Sequence, residues 1–138
     1  MQRGMMERRV AHARVGRLAT VSSDSRPHIV PVCFALAHGQ IVTALDHKPK
    51  STSALRRFEN VRARGVATLL VDFYDEDWTQ LWWVRVDGAA RVVDDATELE
   101  HAVEALREKY RGQYGSNPPP GPAIVLEPDH WVGWSAAD

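Results

Sequence analysis

The connections between the predicted strands are the feature that most constrains how this chain can fold. Residues 23–27 (Ser-Asp-Ser-Arg-Pro) and 37–39 (Ala-His-Gly) are short and rich in residues that favour turns. Connections of this length cannot hold the crossover helix that a parallel pair of strands requires. We therefore expect the first three strands to form an antiparallel meander.

Runs of apolar and β-branched residues predict seven strands, each bounded by turn residues. The predicted strands are Gly16–Ser22, His28–Leu36, Gln40–Leu45, Val66–Phe73, Leu81–Val93, Ala123–Glu127 and His130–Trp134. With two or three helices packed outside them, these strands predict a mainly β fold. The expected architecture is a closed or half-closed antiparallel barrel of six or seven strands.

Two of the predicted helices lie in the first half of the chain. A short helix is expected over about residues 5–14, near the N-terminus. A second helix has a serine-rich start, where Ser51 or Ser53 can act as the N-cap. Its apolar residues Leu55 and Phe58 are expected to face inward, and it ends before a glycine.

The third predicted helix follows the long fifth strand. Asp95 and, three residues later, Glu98 resemble a capping box, which marks a helix N-terminus. Apolar residues then recur at spacings of four, three and four, which predicts one buried stripe. The residues of that stripe are Leu99, Val103, Leu106 and Tyr110.

Composition limits the class of protein. The 138 residues are 44% hydrophobic and 25% charged, which predicts one globular domain over residues 1–138. No apolar run approaches the roughly 18 residues of a membrane span, and a net charge of −1 gives no general attraction to nucleic acid or anionic membranes. Since the single cysteine, Cys33, cannot form an internal disulfide, we expect a cytoplasmic protein. Inside an apolar strand, Cys33 is expected to be a buried small side chain rather than a catalytic thiol.

The sequence contains no motif that would supply chemistry from side chains alone. It has no glycine-rich nucleotide loop, no Gly-x-Ser-x-Gly motif, and no histidine or cysteine spacing typical of a metal site. We therefore assign no catalytic residue and no metal. An enzyme of this kind would depend on a bound cofactor for its reactive atoms.

The strongest local feature is the segment Lys48-Pro49-Lys50-Ser51, here called the lysine loop. Lysine is rare in this chain, because the 17 basic residues include only Lys48, Lys50 and Lys109 as lysines. A strand end, two lysines and a serine-rich helix start together predict a phosphate cradle. The alternative is a solvated loop with an ordinary N-cap.

Charge is unevenly distributed along the chain. Residues 46–64 carry six basic and two acidic side chains, a net charge of +4, whereas residues 72–79 carry four acidic side chains and no basic one. Such polarity suits an anionic ligand or complementary pairing between two copies of the chain. The alternative is that the arginines only solvate an exposed helix face.

Alternation along the fifth strand divides its two tryptophans between opposite faces. Trp82 shares a face with Val84 and Val86, and this face is expected to belong to the core. Trp83 shares the other face with Arg85, which suggests a surface covered by a partner subunit or a flat ring. Partly exposed barrel aromatics are the alternative.

Five segments, taken in order, resemble the flavin/deazaflavin oxidoreductases, the split β-barrel proteins related to pyridoxamine 5′-phosphate oxidase. The segments are Gly16–Val21 (GRLATV), Arg26–Val32 (RPHIVPV), Asp46–Ser51 (DHKPKS), Asp75–Trp78 (DEDW) and Leu81–Gly88 (LWWVRVDG). The resemblance covers about residues 6–135 and is strongest to the F-420-dependent branch. It implies a split β-barrel homodimer with cofactors in grooves between the barrels.

The resemblance also implies roles for particular residues. The second-strand motif, His28–Cys33, would lie along the cofactor ring system. The lysine loop would lie by the phosphate, and Lys50 matches a phosphate-binding lysine. Trp82 or Trp83 of the partner subunit would cover the ring. The candidate cofactor-binding residues are His28, Ile29, Val30, Pro31, Val32, Thr43, Lys48, Pro49, Lys50, Ser51, Arg56, Arg57, Trp82 and Trp83.

The resemblance implies hydride transfer between reduced coenzyme F-420 (8-hydroxy-5-deazaflavin) and a small organic substrate with an activated C=C or C=N bond. The proton would come from solvent or from His28 or His47. One alternative is an FMN-dependent oxidase or reductase, and another is a non-catalytic protein that binds flavin, deazaflavin or haem. The chain lacks the C-terminal vitamin-substrate motif of the flavin oxidases, so oxidation of vitamin B6 is not expected.

Overall fold

A computed structural model describes residues 1–47 and 52–138, without the side chains of residues 52–54. Its helices are α1 (Arg3–His12), α2 (Thr52–Arg64), α3 (Ala96–Lys109) and α4 (Arg111–Tyr114). Its strands are β1 (Gly16–Val21), β2 (Pro27–Val32), β3 (Ala35–Ala37), β4 (Gln40–Ala44), β5 (Val66–Phe73), β6 (Trp82–Val93) and β7 (Ala123–Ser135). A short 3-10 helix, Trp78–Gln80, precedes β6.

The strands form one curled antiparallel sheet, a half-barrel, in the order β2-β1-β5-β6-β7-β4-β3. The prediction of a mainly β antiparallel barrel of six or seven strands is confirmed. The short connections join antiparallel neighbours as expected, since β1 pairs with β2 and β3 pairs with β4. The expected meander of the first three strands is interrupted, however, because β2 and β3 lie at opposite edges of the sheet. No helix among the described residues has the length and apolar character to cross a membrane.

The predicted strand His28–Leu36 is two strands, and this break shapes the half-barrel. Its first half, β2, lies at one edge of the sheet, and its second half, β3, lies at the other. Hydrogen bonds from side chains, rather than backbone pairing with a neighbouring strand, hold the residues between β2 and β3. The hydroxyl of Tyr110 accepts from the Phe34 N–H at 3.1 Å, and Thr43 Oγ1 donates to the Cys33 carbonyl oxygen at 2.7 Å.

The two predicted C-terminal strands form the single strand β7. Its pairing with β6 changes register between Asp87 and Gly88, where β7 has an extra residue in the ladder. Gly88 is required at this irregularity, because a Cβ there would lie 2.0 Å from the Glu127 carbonyl oxygen. The strand therefore continues through the turn-like residues that suggested a break.

The core lies on the concave side of the sheet. Leu69, Val84 and Val86 are fully buried there, and Trp82 packs against this cluster, as predicted for its face of β6. Met6 and Val10 of α1 cover one part of this core. A second cluster joins α3 to the sheet around buried residues that include Ala102, Leu106, Tyr110, Ala123 and Val125.

Helix boundaries and caps follow the sequence closely. Helix α1 occupies Arg3–His12 rather than residues 5–14. Asp95 caps α3 by accepting from the Glu98 N–H at 3.2 Å, as predicted. The Glu98 carboxylate, however, pairs with Arg91 across the surface, so it does not complete the capping box.

Two burial predictions were wrong. Phe58 is buried as expected, but Leu55, one turn earlier on α2, is 40% exposed because it lies on the turn that extends away from the core. Cys33 is exposed rather than buried, since it lies at the break between β2 and β3, where the alternation of the strand is interrupted.

Candidate functional site

The exposed edge strand β2 carries the second-strand motif. Val32 is buried and Val30 packs against the core, whereas Ile29 is 62% exposed and Pro31 is exposed beside it. Within the described ranges, β2 pairs only with β1, so its outer edge presents backbone groups that the sheet does not use. The strand therefore offers an apolar row and a polar backbone edge to a ligand.

A cationic group lies next to the start of β2. Burial, followed by the charges of Arg56 and Arg57, lowers the pKa of His28 from its usual value. Nδ1 of His28 is buried and has no hydrogen-bond partner among the described residues. An anionic group at this position would offset the two arginines and could accept a hydrogen bond from the imidazole ring.

Helix α2 is fixed against the sheet at this point. Asn60 and Thr20 are both buried, and Asn60 Nδ2 donates to Thr20 Oγ1 at 3.0 Å. Phe58 anchors the same helix in the core, with the Arg57 guanidinium 5.1 Å from its ring centroid. The fold thus positions Arg56 and Arg57 near β2, as the candidate site requires.

The lysine loop, Lys48, Pro49, Lys50 and Ser51, lies outside the described residues. Just before it, Leu45 packs against the main core cluster, and its N–H donates to the Pro122 carbonyl oxygen at 2.9 Å. His47 Nε2 lies 3.1 Å from the Asn117 carbonyl oxygen. This contact places His47 beside the segment that follows α4.

Thr43 has a role that the sequence did not indicate. Its side chain is only 3% exposed, and its hydroxyl proton is used in the bond to the Cys33 carbonyl. This bond connects β4 to the break between β2 and β3. The hydroxyl of Thr43 therefore acts inside the fold, at the break that follows β2.

The two tryptophans of β6 do not approach β2 within one chain. Trp82 faces the core side, with the Arg9 guanidinium 4.7 Å from its ring centroid. Trp83 is half-buried on the opposite face, where it lines a cleft of about 440 Å³ with Leu70 and Trp134. Strands β1 and β5 separate β6 from β2, a distance of about 14 Å at ordinary strand spacing. A tryptophan from this region can meet β2 only if a second copy supplies it.

Ionic and polar pairs cross the same outward face of the sheet. Arg17 pairs with Asp72 at 3.2 Å, and Arg85 pairs with Asp87 at 3.2 Å. Thr68 Oγ1 also donates to Asp87 at 2.8 Å. The charges on this face are therefore matched in pairs, between half-buried apolar residues.

Sequence reasoning missed a cluster of ionisable side chains beside Cys33. Burial lowers the pKa of Lys109 to about 8, and its Nζ lies 3.9 Å from the Phe34 ring centroid. Burial also raises the pKa of Tyr114 to about 12, and its ring packs edge-on against Tyr110. No spacing signal could have revealed this cluster, because α3 and the break after β2 are distant in sequence.

A comparison with models of protein families identifies the family of the chain. A family model described as pyridoxamine 5′-phosphate oxidase matches residues 4–135. The chain belongs to the pyridoxamine 5′-phosphate oxidase family. A search of curated proteins found no match.

Solved structures share the fold of this family member at low sequence identity. A conserved hypothetical protein from Mycobacterium tuberculosis is 21% identical, with a TM-score of 0.76 over 99% of this chain and 86% of that one. An FAD binding protein from Mycobacterium smegmatis is 20% identical, with a TM-score of 0.66 over 97% and 96% of the two chains. A heme storage protein from Vibrio cholerae is 13% identical, with a TM-score of 0.70 over 96% and 93%. Proteins that share this fold are thus named for different ligands, FAD in one case and haem in another.

The candidate site of this family member offers features that suit a bound ligand. The described residues contain no group of three or more histidine, cysteine or acidic side chains placed to hold a metal ion. What they provide is an apolar row on an edge strand, free backbone groups and two nearby arginines. These features suit a flat ring that carries an anionic substituent.

Proposed function

We propose that this chain is a coenzyme F-420-dependent oxidoreductase, which transfers a hydride between the reduced deazaflavin and a small organic substrate with an activated C=C or C=N bond. The observation that carries the proposal is the open edge of β2 beside the cationic pair Arg56 and Arg57. Membership of the pyridoxamine 5′-phosphate oxidase family and the structural likeness to an FAD binding protein support a flavin-type ring.

The residues present fit such a group. The ring would lie against Ile29 and Pro31, with the unused backbone groups of β2 as hydrogen-bond partners. The lysine loop, with Lys50 as the principal ligand, would bind the phosphate. The buried, unpartnered Nδ1 of His28 fits an acceptor oxygen near this position.

Charge favours F-420 over FMN. F-420 carries a phosphodiester followed by a glutamate tail, and so presents more negative charge than FMN along a longer path. Arg56 and Arg57 lie one to two turns beyond the lysine loop on α2, where they would contact the tail. FMN, with a single phosphate, would not reach both the loop and these arginines.

The protein would contribute orientation, exclusion of water and electrostatics. When bound, the reduced deazaflavin supplies the hydride from its C5. His28 remains neutral near pH 7 because its pKa is lowered by burial and by the two arginines, so it would form a hydrogen bond to the cofactor rather than supply a proton. Solvent or His47 is the better candidate for the proton source.

A homodimer completes this proposal. One barrel of 138 residues offers few walls to a groove. The outward sheet face carries large exposed or half-buried apolar side chains, including Leu70, Trp83 and Trp134. A second copy on this face would bury them and bring aromatic residues to β2 of its partner. With a single cysteine, the enzyme fits the reducing cytoplasm.

Two alternative functions have specific support. The likeness to FAD binding proteins favours FMN as the alternative cofactor, in an oxidase or reductase on the same fold. The likeness to a heme storage protein favours a non-catalytic protein that carries or senses flavin, deazaflavin or haem.

Turnover with reduced F-420 distinguishes these functions. The purified protein should oxidise reduced F-420 in the presence of acceptors with activated C=C or C=N bonds, seen as recovery of the oxidised deazaflavin absorbance. A protein that purifies yellow with FMN and ignores F-420 supports the FMN enzyme instead. Binding of F-420 without turnover by any acceptor supports the non-catalytic protein.

A further inference from the structure

The turn between β5 and β6 is the most exposed aromatic feature of the described chain. We call residues 74–79 the acidic aromatic loop, because they contain Asp75, Glu76 and Asp77 between two aromatic side chains. Tyr74 is 63% exposed and Trp78 is 67% exposed. Large aromatic side chains at this exposure are typical of contact surfaces.

The acidic aromatic loop has a fixed conformation rather than a loose one. Asp75 Oδ1 accepts from the Asp77 N–H at 2.7 Å, and Asp77 accepts from both the N–H and the hydroxyl of Thr79. Trp78 Nε1 donates to the Tyr74 hydroxyl at 3.3 Å. The hydrogen bonds to Thr79 also lower the pKa of Asp77, which keeps its negative charge in place. The two rings are therefore presented to solvent in one arrangement.

The opposite charge lies at the other end of the same molecule. Helix α2 carries Arg62 and Arg64 on exposed positions of its last turn and ends where β5 begins. The acidic aromatic loop begins where β5 ends, eight residues later, so the two regions are separated by about 23 Å. The loop therefore cannot pair with α2 of its own chain.

We propose that, in the homodimer, the acidic aromatic loop of each protomer packs against the basic helix α2 of the partner, with Trp78 closing the partner's cofactor site beside β2. This inference rests on the proposed function for the existence of the dimer. Because a two-fold axis relates the protomers, the contact between the acidic aromatic loop and α2 occurs twice in the dimer.

Trp78 is better placed for this role than either tryptophan of β6. Trp82 faces its own core and is covered by Arg9, and Trp83 is half-buried in its own cleft. Trp78 projects from the end of the molecule, beside carboxylates that the arginines of a second copy would attract. The loop thus combines an aromatic anchor with a charge that sets its orientation.

Carbodiimide coupling of carboxylates to lysines tests the contact directly. The variant carries Arg62→Lys and Arg64→Lys, which preserve charge and supply reactive amines on α2, and it is assembled from mixed isotope-labelled and unlabelled protomers. We expect peptides that join residues 75–77 of one chain to residues 62–64 of the differently labelled chain. Glu100 and Glu104 on α3 serve as control carboxylates, since both are exposed and neither is expected to couple to the other protomer.

A second measurement uses the anchor residue. Trp78→Ala should raise the dimer dissociation constant by about tenfold or more, whereas Trp78→Phe should retain most of the affinity. A dimer of wild-type affinity in Trp78→Ala, or a dimer without links from the loop to the other chain, overturns this inference and leaves the F-420 function intact. A monomeric wild-type protein overturns both this inference and the proposed dimer. The proposed F-420 function is then tested separately by turnover with reduced F-420.

Discussion

The hydroxyl of Thr43 donates a 2.7 Å hydrogen bond to the carbonyl oxygen of Cys33. This bond holds β4 against the break between β2 and β3. At that break the chain leaves one edge of the sheet and continues at the other edge. The position of β2, and therefore of the candidate cofactor surface, depends on contacts of this kind at the break.

Replacing Thr43 by valine should destabilise the fold, because the carbonyl of Cys33 loses a partner in a part-buried position. We expect Thr43→Val to lower the free energy of unfolding by about 1–2 kcal/mol. Urea denaturation measures this change. Thr43→Ser is the matched control, since it keeps the hydroxyl and should cost less; equal losses in both variants would contradict the role assigned to the bond.

The buried phenol of Tyr110 makes a second connection at the same break. Its hydroxyl accepts from the Phe34 N–H at 3.1 Å and lies 3.0 Å from the Phe34 carbonyl oxygen. Tyr110→Phe should leave a buried N–H without its partner and cost about 1–3 kcal/mol in the free energy of unfolding. Tyr114→Phe, on a more exposed ring, should cost less in the same denaturation assay. The reverse order would show that Tyr110 does not hold the break.

The lowered pKa of His28 predicts how stability depends on pH. Its folded pKa lies below the unfolded value of about 6.5, so the unfolded chain takes up a proton first as the pH falls. Wild-type stability should therefore decrease as the pH falls through 6.5 toward the folded pKa, and His28→Gln should remove that part of the decrease. Urea unfolding at several pH values between about 5 and 8 measures both proteins. Parallel curves for wild type and variant would contradict the assignment.

The sequence predicted the fold well where local patterns decide it. Turn chemistry and alternation indicated the antiparallel strands, and Asp95 marked the start of α3. The break after Val32 could not be predicted in this way, because its causes, Thr43 and Tyr110, act from distant parts of the chain. The continuous strand β7 depends equally on its partner β6, whose Gly88 leaves room for the irregular register.

The candidate site was only partly accessible to sequence reasoning. The family resemblance pointed to the second-strand motif as a whole. It did not indicate that Ile29 and Pro31 face outward, nor that His28 lies near Arg56 and Arg57, which follows from how α2 packs on the sheet. The burial of Thr43 and the separation of Trp83 from β2 are likewise tertiary facts. The roles of the lysine-loop residues remain predictions.

The lysine loop can be tested by cofactor binding. Lys50→Ala should weaken binding of the phosphate-bearing cofactor by about 1.5–3 kcal/mol, the range for hydrogen bonds to charged groups. The unfolding free energy should hardly change, because an exposed loop lysine contributes little to stability. Lys50→Arg, which keeps the charge, should recover part of the affinity. Unchanged affinity in Lys50→Ala would favour the solvated loop.

A side-by-side titration of F-420 and FMN over a range of salt concentrations tests the central claim most directly. Exposed ion pairs contribute about 0.2–1 kcal/mol each and are screened over roughly 8–10 Å at physiological ionic strength. F-420 should therefore bind more tightly than FMN at about 0.15 M salt. Its affinity should fall as salt rises, and the combined Arg56→Ala and Arg57→Ala variant should reduce that slope without affecting FMN. Tighter binding of FMN than of F-420 at this salt concentration would contradict the account and assign the site to FMN.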